Sequence, residues 1–399
     1  MTLESSTSFA EISATEEQYQ LATYKKMPVA AERGEGVWIY TSDGHKYLDL
    51  YGGHAVAGTG HCHPHVVKAL CEQTERLLFY SNLVYSETRA RAAEKLVSLA
   101  PAQLTRAFFC NSGTEANENA MRMARMFTGR EKIITFSGGF HGRTADAISA
   151  TFLGKYRDIG KPNVPGHIEA EFGNIESVRA LADGTVAAMM LEPIQSMAGV
   201  RMAEATYYRE LRTLCDEREI VLIYDEVQTG VGRTGDWFFA GSSAGDGVVP
   251  DIVTLAKALG SGVPVGACLV TDAIADKIKE NDLGTTFGGG MLAMAAVTAT
   301  LEAIENDKML ANVKSAELHL RERLRGVEQV VAVHGRGFLL GLELVDKAAP
   351  IHKGLLDHKI ITGTSSDPRV LRLLPPLCLK NQEIDLFVAA LENVTSEAG

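Results

Sequence analysis

Residues 107–125 read AFFCNSGTEANENAMRMAR and contain the pattern that decides the fold. The first four residues are apolar and predict a buried strand. The next seven, 111–117, are small or polar, and the stretch beyond them predicts a helix. That helix places small and apolar side chains on one face, at Ala116, Ala120, Met123 and Ala124. A strand that leads through a small-residue loop into an amphipathic helix is the repeating unit of doubly wound α/β proteins.

Three further stretches have the same near-continuous apolar composition: 132–136, 186–191 and 221–224. Strands that are apolar throughout, rather than alternating, are typical of parallel strands covered by helices on both faces. Helical patterns lie between these stretches. We therefore predict a large α/β domain over 61–305, whose central sheet is mainly parallel and lies between helices.

The first sixty residues predict a different kind of structure. Apolar runs at 37–40 and 47–50 flank a turn that contains Asp43-Gly44, which is typical of a β-hairpin. Residues 1–28 are polar and contain few large apolar side chains, so we expect an arm rather than a domain there.

The other end of the chain predicts strands and helices of a second unit. A strand is indicated at 339–344, and the last helix carries its apolar side chains on one face, at Ile384, Phe387, Val388 and Leu391. We expect segments 1–60 and 306–399 to form one small α+β domain together.

The charge of the chain excludes several classes of partner. With 39 Lys and Arg against 50 Asp and Glu, the net charge is −11. Such a chain has no excess of cations with which to neutralise the phosphates of a nucleic acid or an anionic membrane. We therefore predict no nucleic-acid and no membrane partner. The longest weakly polar stretch, 291–304, is too short to span a bilayer and predicts a buried helix.

The cysteines and the N-terminus indicate the compartment. The six cysteines include no C-x-x-C pair, so neither a disulfide framework nor a zinc ribbon is indicated. Residues 1–20 contain no Lys or Arg and no continuous apolar run, which argues against a secretory signal. We expect a cytoplasmic protein.

Three short motifs have a catalytic or binding interpretation that their context does not favour. GVGRTG at 230–235 matches a dinucleotide fingerprint, but no small-residue helix follows it, so a turn is favoured. GSSAG at 241–245 has the spacing of a nucleophile elbow, but no apolar strand precedes it. HCHPH at 61–65 contains potential metal ligands, yet a polar loop is favoured and no metal site is predicted.

Three positions together indicate a specific chemistry. Residues 111–117 lie where free backbone N–H groups at a helix start favour a phosphate, although an ordinary helix cap has the same composition. Asp225 ends an apolar strand, a position that suits either a ligand-binding carboxylate or a structural cap. Lys257 follows an apolar stretch and precedes glycines; alone it would be interpreted as a surface residue.

In combination, these groups suit pyridoxal phosphate. The loop anchors the phosphate, the carboxylate keeps the pyridine nitrogen protonated, and the amine forms a Schiff base.

With these features the chain resembles the class III, fold type I aminotransferases from about Gly34 to Leu391. The motifs that carry the resemblance are NSGTEAN at 111–117, FHGRT at 140–144, LEPIQ at 191–195, DEVQ at 225–228, LAKAL at 255–259, GTTFGG at 284–289 and VLRLLPP at 370–376. The resemblance implies a fold type I pyridoxal phosphate transferase with a large and a small domain.

The resemblance also implies how the cofactor is bound. Lys257 would be the catalytic lysine that forms the Schiff base, and Asp225 the partner of the pyridine nitrogen. The remaining cofactor-binding positions would be Ser112, Gly113 and Thr114 at the phosphate, Phe140 and Val227 on the two ring faces, Gln228 at the ring hydroxyl, and Thr286. Because Thr286 would complete the phosphate site of the neighbouring subunit, the resemblance implies a homodimer with shared sites.

For the substrate, the resemblance implies two arginines. Arg143 would hold a substrate carboxylate, a role suited to a planar bidentate donor, with a surface salt bridge as the alternative. Arg372 would bind the α-carboxylate of 2-oxoglutarate or glutamate; a charge in an apolar run requires a partner or a ligand. Thr285 and Glu192 are the other substrate-binding positions.

Within the family, the stretches 47–56, 79–82 and 373–379 look most like the N-acylornithine aminotransferases of arginine biosynthesis. The implied reaction transfers the δ-amine of N-acetyl- or N-succinylornithine to 2-oxoglutarate, giving N-acylglutamate 5-semialdehyde and glutamate. The alternatives are an aminotransferase for 4-aminobutyrate or another ω-amino acid, and a glutamate-semialdehyde-type aminomutase.

The chain departs from the family pattern at Met197, where many ω-aminotransferases carry a glutamate that pairs with the second arginine. We therefore hypothesise that a carboxylate of the acyl chain, or another ligand group, meets Arg372.

Overall fold

The computed structural model describes residues 7–398. Over this part of the chain the helices are α1 Phe9–Tyr19, α2 Gly52–Ala55, α3 Pro64–Arg76, α4 Glu87–Leu99, α5 Gly113–Thr128, α6 Ala145–Ser149, α7 Ile175–Leu181, α8 Ala205–Arg218, α9 Asp272–Ala275, α10 Met291–Asn306, α11 Met309–Leu324, α12 Ala348–Asp357 and α13 Asn381–Ala398. The strands are β1 Ala31–Glu35, β2 Trp38–Thr41, β3 Lys46–Asp49, β4 Leu104–Cys110, β5 Lys132–Phe136, β6 His167–Ala170, β7 Val186–Leu191, β8 Ile194–Gln195, β9 Arg201–Met202, β10 Val221–Asp225, β11 Ile252–Leu255, β12 Gly266–Thr271, β13 Val330–Arg336, β14 Leu339–Leu344, β15 Ile360–Ile361, β16 Gly363–Thr364 and β17 Val370–Leu373.

A seven-stranded sheet in the order β4-β12-β11-β10-β7-β5-β6 forms the centre of the molecule. The pairings from β11 to β6 are parallel, and β12 runs antiparallel to both of its neighbours. Because β4 pairs antiparallel with β12, it points the same way as the parallel strands. The prediction of a mainly parallel α/β sheet is confirmed, and the four apolar stretches named above form β4, β5, β7 and β10.

Both faces of the sheet are covered, which explains why its strands are apolar throughout. On β10, Leu222 and Tyr224 belong to a core that includes Tyr208 and Leu211 of α8. The alternate residues Val221 and Ile223 belong to a second core, which contains the helix face predicted at 116–124. The side chains of β10 are at most 3% exposed.

The two ends of the chain meet in smaller sheets. The predicted hairpin is formed by β2 and β3, and β3 also pairs in parallel with β15 from the C-terminal segment. A second small sheet has the order β13-β14-β17-β16. The predicted α+β unit that combines both chain ends is therefore present, while the domain limits at 60/61 and 305/306 stay a prediction.

The N-terminal arm was predicted over 1–28, of which residues 1–6 lie outside the described residues. Helix α1 begins with a capping box in which Ser8 and Glu11 exchange hydrogen bonds, and none of its residues is buried. Helix α10 contains the apolar stretch 291–304. Among the helices of residues 7–398, none combines the length and the apolar character needed to cross a bilayer.

Two of the three disfavoured motifs lie in turns or loops whose contacts the structure shows. Residues 230–235 form consecutive turns and do not open a helix, as predicted. In the HCHPH segment, the ring nitrogens of the histidines contact three different carboxylates: His61 contacts Asp49, His63 contacts Asp307, and His65 contacts Glu302. These pairs hold the loop and the start of α3 against neighbouring elements.

Candidate active site

A cavity of about 860 Å³ lies where the parallel strands of the central sheet end. The strand ends explain the gathering of side chains, because the carboxyl ends of parallel strands meet at the same sheet edge. Segments from both chain ends, including 23–25 and 364–366, complete the wall. Eleven of the thirteen predicted site residues line this cavity: Ser112, Gly113, Thr114, Phe140, Arg143, Glu192, Asp225, Val227, Gln228, Lys257 and Arg372.

Thr285 and Thr286 are the two predicted site residues that do not line it. Thr285 Oγ1 accepts hydrogen bonds from Asn111 Nδ2 at 3.2 Å and from the Gly288 N–H at 3.0 Å. Thr286 is exposed. Their roles, including the role of Thr286 in a neighbouring subunit, stay predictions.

The Asp225 carboxylate is buried and held by three donors. Its Oδ2 accepts from Asn117 Nδ2 at 2.7 Å and lies 2.9 Å from His141 Nδ1, while Oδ1 accepts from the Val227 N–H at 3.1 Å. Asn117 is itself fixed, since its Oδ1 accepts from the Thr254 hydroxyl at 2.6 Å. The carboxylate at the end of β10 is thus oriented in the cavity wall rather than free to rotate.

Lys257 begins the turn that follows β11, with the left-handed φ of 43° that non-glycine residues rarely adopt. Its side chain lines the cavity. Burial lowers the pKa of the Lys257 amine below its ordinary value, against the attraction of Asp225 and Glu192. A lowered pKa increases the neutral fraction of the amine, which is the form that acts as a nucleophile or base.

The start of α5 forms the opposite part of the wall. Ser112 caps this helix, and its Oγ accepts from the Glu115 N–H at 3.2 Å. A side chain at Gly113 could not be accommodated, because its Cβ would lie 2.9 Å from Val227 Cγ1. The backbone therefore lies directly at the cavity, where the N–H groups of a helix start favour an anion such as a phosphate.

Pyridoxal phosphate fits these residues. The Gln228 Oε1 atom is buried and has no hydrogen-bond partner among residues 7–398. A buried acceptor of this kind is costly unless a donor satisfies it, and the ring hydroxyl of the cofactor offers one. The helix start, the fixed carboxylate and the lysine amine supply the other groups that such a cofactor needs.

Glu192 follows β7 and is 4% exposed. Its Oε1 accepts the Phe140 N–H at 2.8 Å and so fixes the segment that carries Phe140 and Arg143. Burial, and then repulsion from Asp225, raise the pKa of Glu192 above the ordinary range of a glutamate. Its predicted role as a substrate ligand stays a prediction.

Arg143 is exposed at the cavity and surrounded by aromatic rings. Its guanidinium carbon lies 4.8 Å from the ring centre of Tyr156, 5.7 Å from that of Tyr24 and 5.9 Å from that of Phe140. Within the described chain, no carboxylate lies at ion-pairing distance, so the alternative of a surface salt bridge is not observed. The guanidinium is available for an anionic ligand.

Arg372, on β17, is 2% exposed. Nε donates to the Thr364 carbonyl at 2.7 Å, one terminal nitrogen to Ser196 Oγ at 3.0 Å, and the other to the Tyr51 hydroxyl at 2.5 Å. All three partners are neutral.

Sequence reasoning did not assign a role to four residues of this site: Asn117, His141, Tyr51 and Ser196. The first two lie inside the motifs at 111–117 and 140–144, so their position was a usable signal. Tyr51 lies in the stretch 47–56 named above but is not singled out within it, and nothing in the sequence pattern distinguishes Ser196.

Comparison with known proteins identifies the family. The profile described as "Aminotransferase class-III" matches residues 19–395. The chain is 42% identical to the acetylornithine aminotransferase of Methanopyrus kandleri over 96% of its own length and 98% of the relative.

Two solved structures are similar throughout. One is the ornithine aminotransferase of Toxoplasma gondii with pyridoxal phosphate partly occupying its active site (TM-score 0.91, 27% identity, covering 98% of this chain and 94% of that one). The other is the acetylornithine aminotransferase of Elizabethkingia anophelis (TM-score 0.85, 26% identity, covering 98% and 100%). Together with the cavity chemistry, the family match over nearly the whole chain shows that this protein belongs to the class III aminotransferases, which depend on pyridoxal phosphate.

Proposed function

We propose that this aminotransferase moves the δ-amine of an N-acylornithine to 2-oxoglutarate, giving N-acylglutamate 5-semialdehyde and glutamate. The observation that carries the proposal is the presence of two guanidinium groups, Arg143 and Arg372, at the cavity of Lys257. Neither has a carboxylate partner within 4 Å in residues 7–398. A dicarboxylate acceptor supplies one carboxylate for each, and the names of the relatives support the acylornithine donor.

The protein groups divide the chemistry between them. Pyridoxal phosphate, when bound, supplies an electron sink for the carbon that carries the transferred amine. The Lys257 amine removes a proton from that carbon and returns it, a role that its lowered pKa favours. The Asp225 carboxylate holds a proton at the ring nitrogen, and its three hydrogen-bond donors keep it oriented.

The arginines orient the substrates. Arg143, whose guanidinium lies near the rings of Tyr24 and Tyr156, binds the carboxylate that lies farther from the reacting carbon. Arg372 binds the α-carboxylate next to the reacting carbon of 2-oxoglutarate or glutamate. Glu192 contributes by holding the backbone of Phe140.

The wider context belongs to the same proposal. We place the enzyme in arginine biosynthesis, as a cytoplasmic homodimer in which Thr286 completes the partner's phosphate site and Thr285 lies near the substrate. Support for the location comes from the six cysteines, all of which are free thiols.

The visible spectrum of the holoenzyme tests the proposal. We expect N-acetylornithine to abolish the absorbance of the bound cofactor, and 2-oxoglutarate to restore it with release of glutamate. A Lys257→Ala protein should show neither change. A faster spectral change with 4-aminobutyrate than with N-acetylornithine would replace the proposed donor, and turnover without 2-oxoglutarate would indicate an aminomutase.

A further inference from the structure

The guanidinium of Arg372 is a buried cation without an adjacent counter-charge. Its hydrogen-bond acceptors are a backbone carbonyl and two hydroxyl groups, those of Ser196 and Tyr51. A guanidinium has five N–H donors, so two remain uncommitted to protein within residues 7–398. Both are on the terminal nitrogens of a side chain that lines the cavity. A buried cation with free donors strongly favours an anionic ligand.

The other charged groups of the cavity do not supply that anion. The Glu192 carboxylate acts on Arg372 by its charge, but it forms no ion pair with it within 4 Å and accepts the Phe140 N–H. Burial and Asp225 raise its pKa, which reduces its charge. Asp225 is occupied by three donors. Lys257 adds positive rather than negative charge.

Residue 197 does not supply a counter-charge either. Met197 follows Ser196, a direct partner of Arg372, and lines the same cavity. Its thioether is a weak acceptor and carries no charge. Methionine therefore leaves this part of the cavity wall without a negative charge.

We propose that Arg372 binds a free small monovalent anion, a halide or a short carboxylate, whenever the bound substrate places no carboxylate there. The inference rests on the proposed function, because the reacting δ-carbon of an N-acylornithine bears two hydrogen atoms and no carboxylate. With glutamate or 2-oxoglutarate, the substrate α-carboxylate occupies the site instead. The two half-reactions therefore respond to the same anion in opposite directions.

Chloride is the probe for this opposite response. The half-reactions are followed in single-turnover spectra of the holoenzyme, with the ionic strength kept constant by a bulky sulfonate salt. Chloride should accelerate the N-acetylornithine half-reaction about tenfold, because one charge-assisted hydrogen bond has an effect of that size. The glutamate half-reaction should show a KM that rises with chloride and an unchanged limiting rate. Equal effects of chloride on both half-reactions, or none, would overturn the proposal.

Variants at residue 197 provide the matched control. Met197→Glu places a carboxylate beside Arg372, so the N-acetylornithine half-reaction should lose its chloride dependence. Met197→Gln has the same shape without the charge, and it should keep that dependence. If both variants respond to chloride alike, the internal counter-charge is irrelevant and the proposal is wrong.

A direct readout does not depend on turnover. Crystals of the holoenzyme grown in bromide should show an anomalous peak at the Arg372 guanidinium, which added glutamate removes. The absence of a peak would overturn the proposal. If N-acetylornithine transfers no amine at any chloride concentration, the proposed function fails, while bromide binding and competition with glutamate still decide the anion site.

Discussion

At the scale of single residues, Asn117 joins three parts of the active site. Its Nδ2 donates to the His141 carbonyl at 2.7 Å and to Asp225 Oδ2 at 2.7 Å, and its Oδ1 accepts from Thr254. Asn117 is 2% exposed, so water does not replace these bonds. It is a positioning residue, since it acts on the cofactor through Asp225.

Asn117→Asp should therefore impair catalysis by a charge effect at nearly constant shape. A second carboxylate beside Asp225 replaces a hydrogen-bond donor by an acceptor and repels Asp225, which disturbs the orientation of that carboxylate toward the ring nitrogen. We expect kcat/KM to fall by at least about a hundredfold. The spectrum of the bound cofactor, followed against pH, should differ from that of the parent.

Asn119→Asp is the matched control. Asn119 lies on the same helix, and its side chain donates to the Glu115 carbonyl rather than to the active site. The control should retain nearly normal kinetics and an unchanged spectrum. If Asn117→Asp also leaves the pH-dependent spectrum unchanged, the network around Asp225 does not control the ring nitrogen.

The network around Asp225 also shows which features of the site can be predicted from the sequence. Asp225 and Lys257 could be predicted only together with the loop at 111–117 and the family resemblance, because each of them alone has an ordinary structural explanation. The bonds of His141 and Asn117 to Asp225 join positions 84 and 108 residues away from it along the chain. A sequence pattern contains no information about such distances.

At the scale of elements, the segment 226–240 is organised around one buried glutamate. Glu226 accepts the N–H groups of Phe239 at 2.6 Å and Ala240 at 2.8 Å, and the Thr229 hydroxyl at 3.0 Å. Glu226 is only 1% exposed. Glu226 thus joins the two ends of the segment that contains the turns at 230–235, the stretch that matches a dinucleotide fingerprint.

Glu226 should make stability depend on pH. Burial raises the pKa of Glu226 in the folded protein to about 7, above the unfolded value near 4.5. Its contribution to the free energy of unfolding is therefore complete below about pH 4.5 and is lost as the pH rises through 7. Over that range the loss is roughly 3 kcal/mol. In Glu226→Gln, which does not titrate, the difference in unfolding free energy between about pH 5 and pH 8 should shrink by that amount.

Urea unfolding of the parent and of Glu226→Gln at both pH values measures the effect. Comparing the pH-dependent change in unfolding free energy between the two proteins removes the pH-independent cost of the altered hydrogen bonds. Glu210→Gln, an exposed change on α8, is the control and should match the parent. An equal pH dependence in the parent and in Glu226→Gln would contradict the burial argument.

Elements differ in how well the sequence predicts them. Strands β7 and β10 could be predicted because apolar runs bounded by polar residues allow little else. The reversed direction of β12 could not, since a strand has the same side-chain period in either direction. The left-handed segment Gly52–Ala55 was also unforeseen. Its His54 and Ala55 have φ of 66° and 65°, which only the surrounding tertiary structure can hold.

At the scale of the whole molecule, an apolar surface lies beside the predicted shared site. Leu83 is 91% exposed and Phe287 66%, and the ring centres of Phe79 and Phe287 are 5.2 Å apart. Asn82 Nδ2 donates to the Gly288 carbonyl at 2.8 Å and ties this surface to the segment that carries Thr286. Contiguous exposed apolar side chains are typical of a protein interface. A second copy of the chain that covers them would receive Thr286 near its own cavity.

Hybrid dimers test this arrangement. One variant carries Lys257→Ala, and the other carries Thr286→Asp, which would place a negative charge beside the partner's phosphate if the site is shared. Each homodimer should be nearly inactive. If Thr286 acts across the interface, a dimer with one subunit of each kind has one site with both Lys257 and Thr286 intact. Random mixing of the two variants should then restore about a quarter of the parent activity, because half of the dimers are hybrids with one working site each.

The mixing experiment needs exchange of subunits, which co-expression with two different affinity tags ensures. The doubly tagged fraction should have about half the activity of the parent, with one functional site in two. A subunit that carries both substitutions, paired with the parent, is the matched control. If Thr286 acts in its partner, each site of this hybrid lacks one of the two residues and neither site is intact. If Thr286 acts within its own chain, the site of the parent subunit is intact. Inactive doubly tagged dimers in the first pairing, together with activity in the second, would show that Thr286 serves its own subunit and would contradict the shared site.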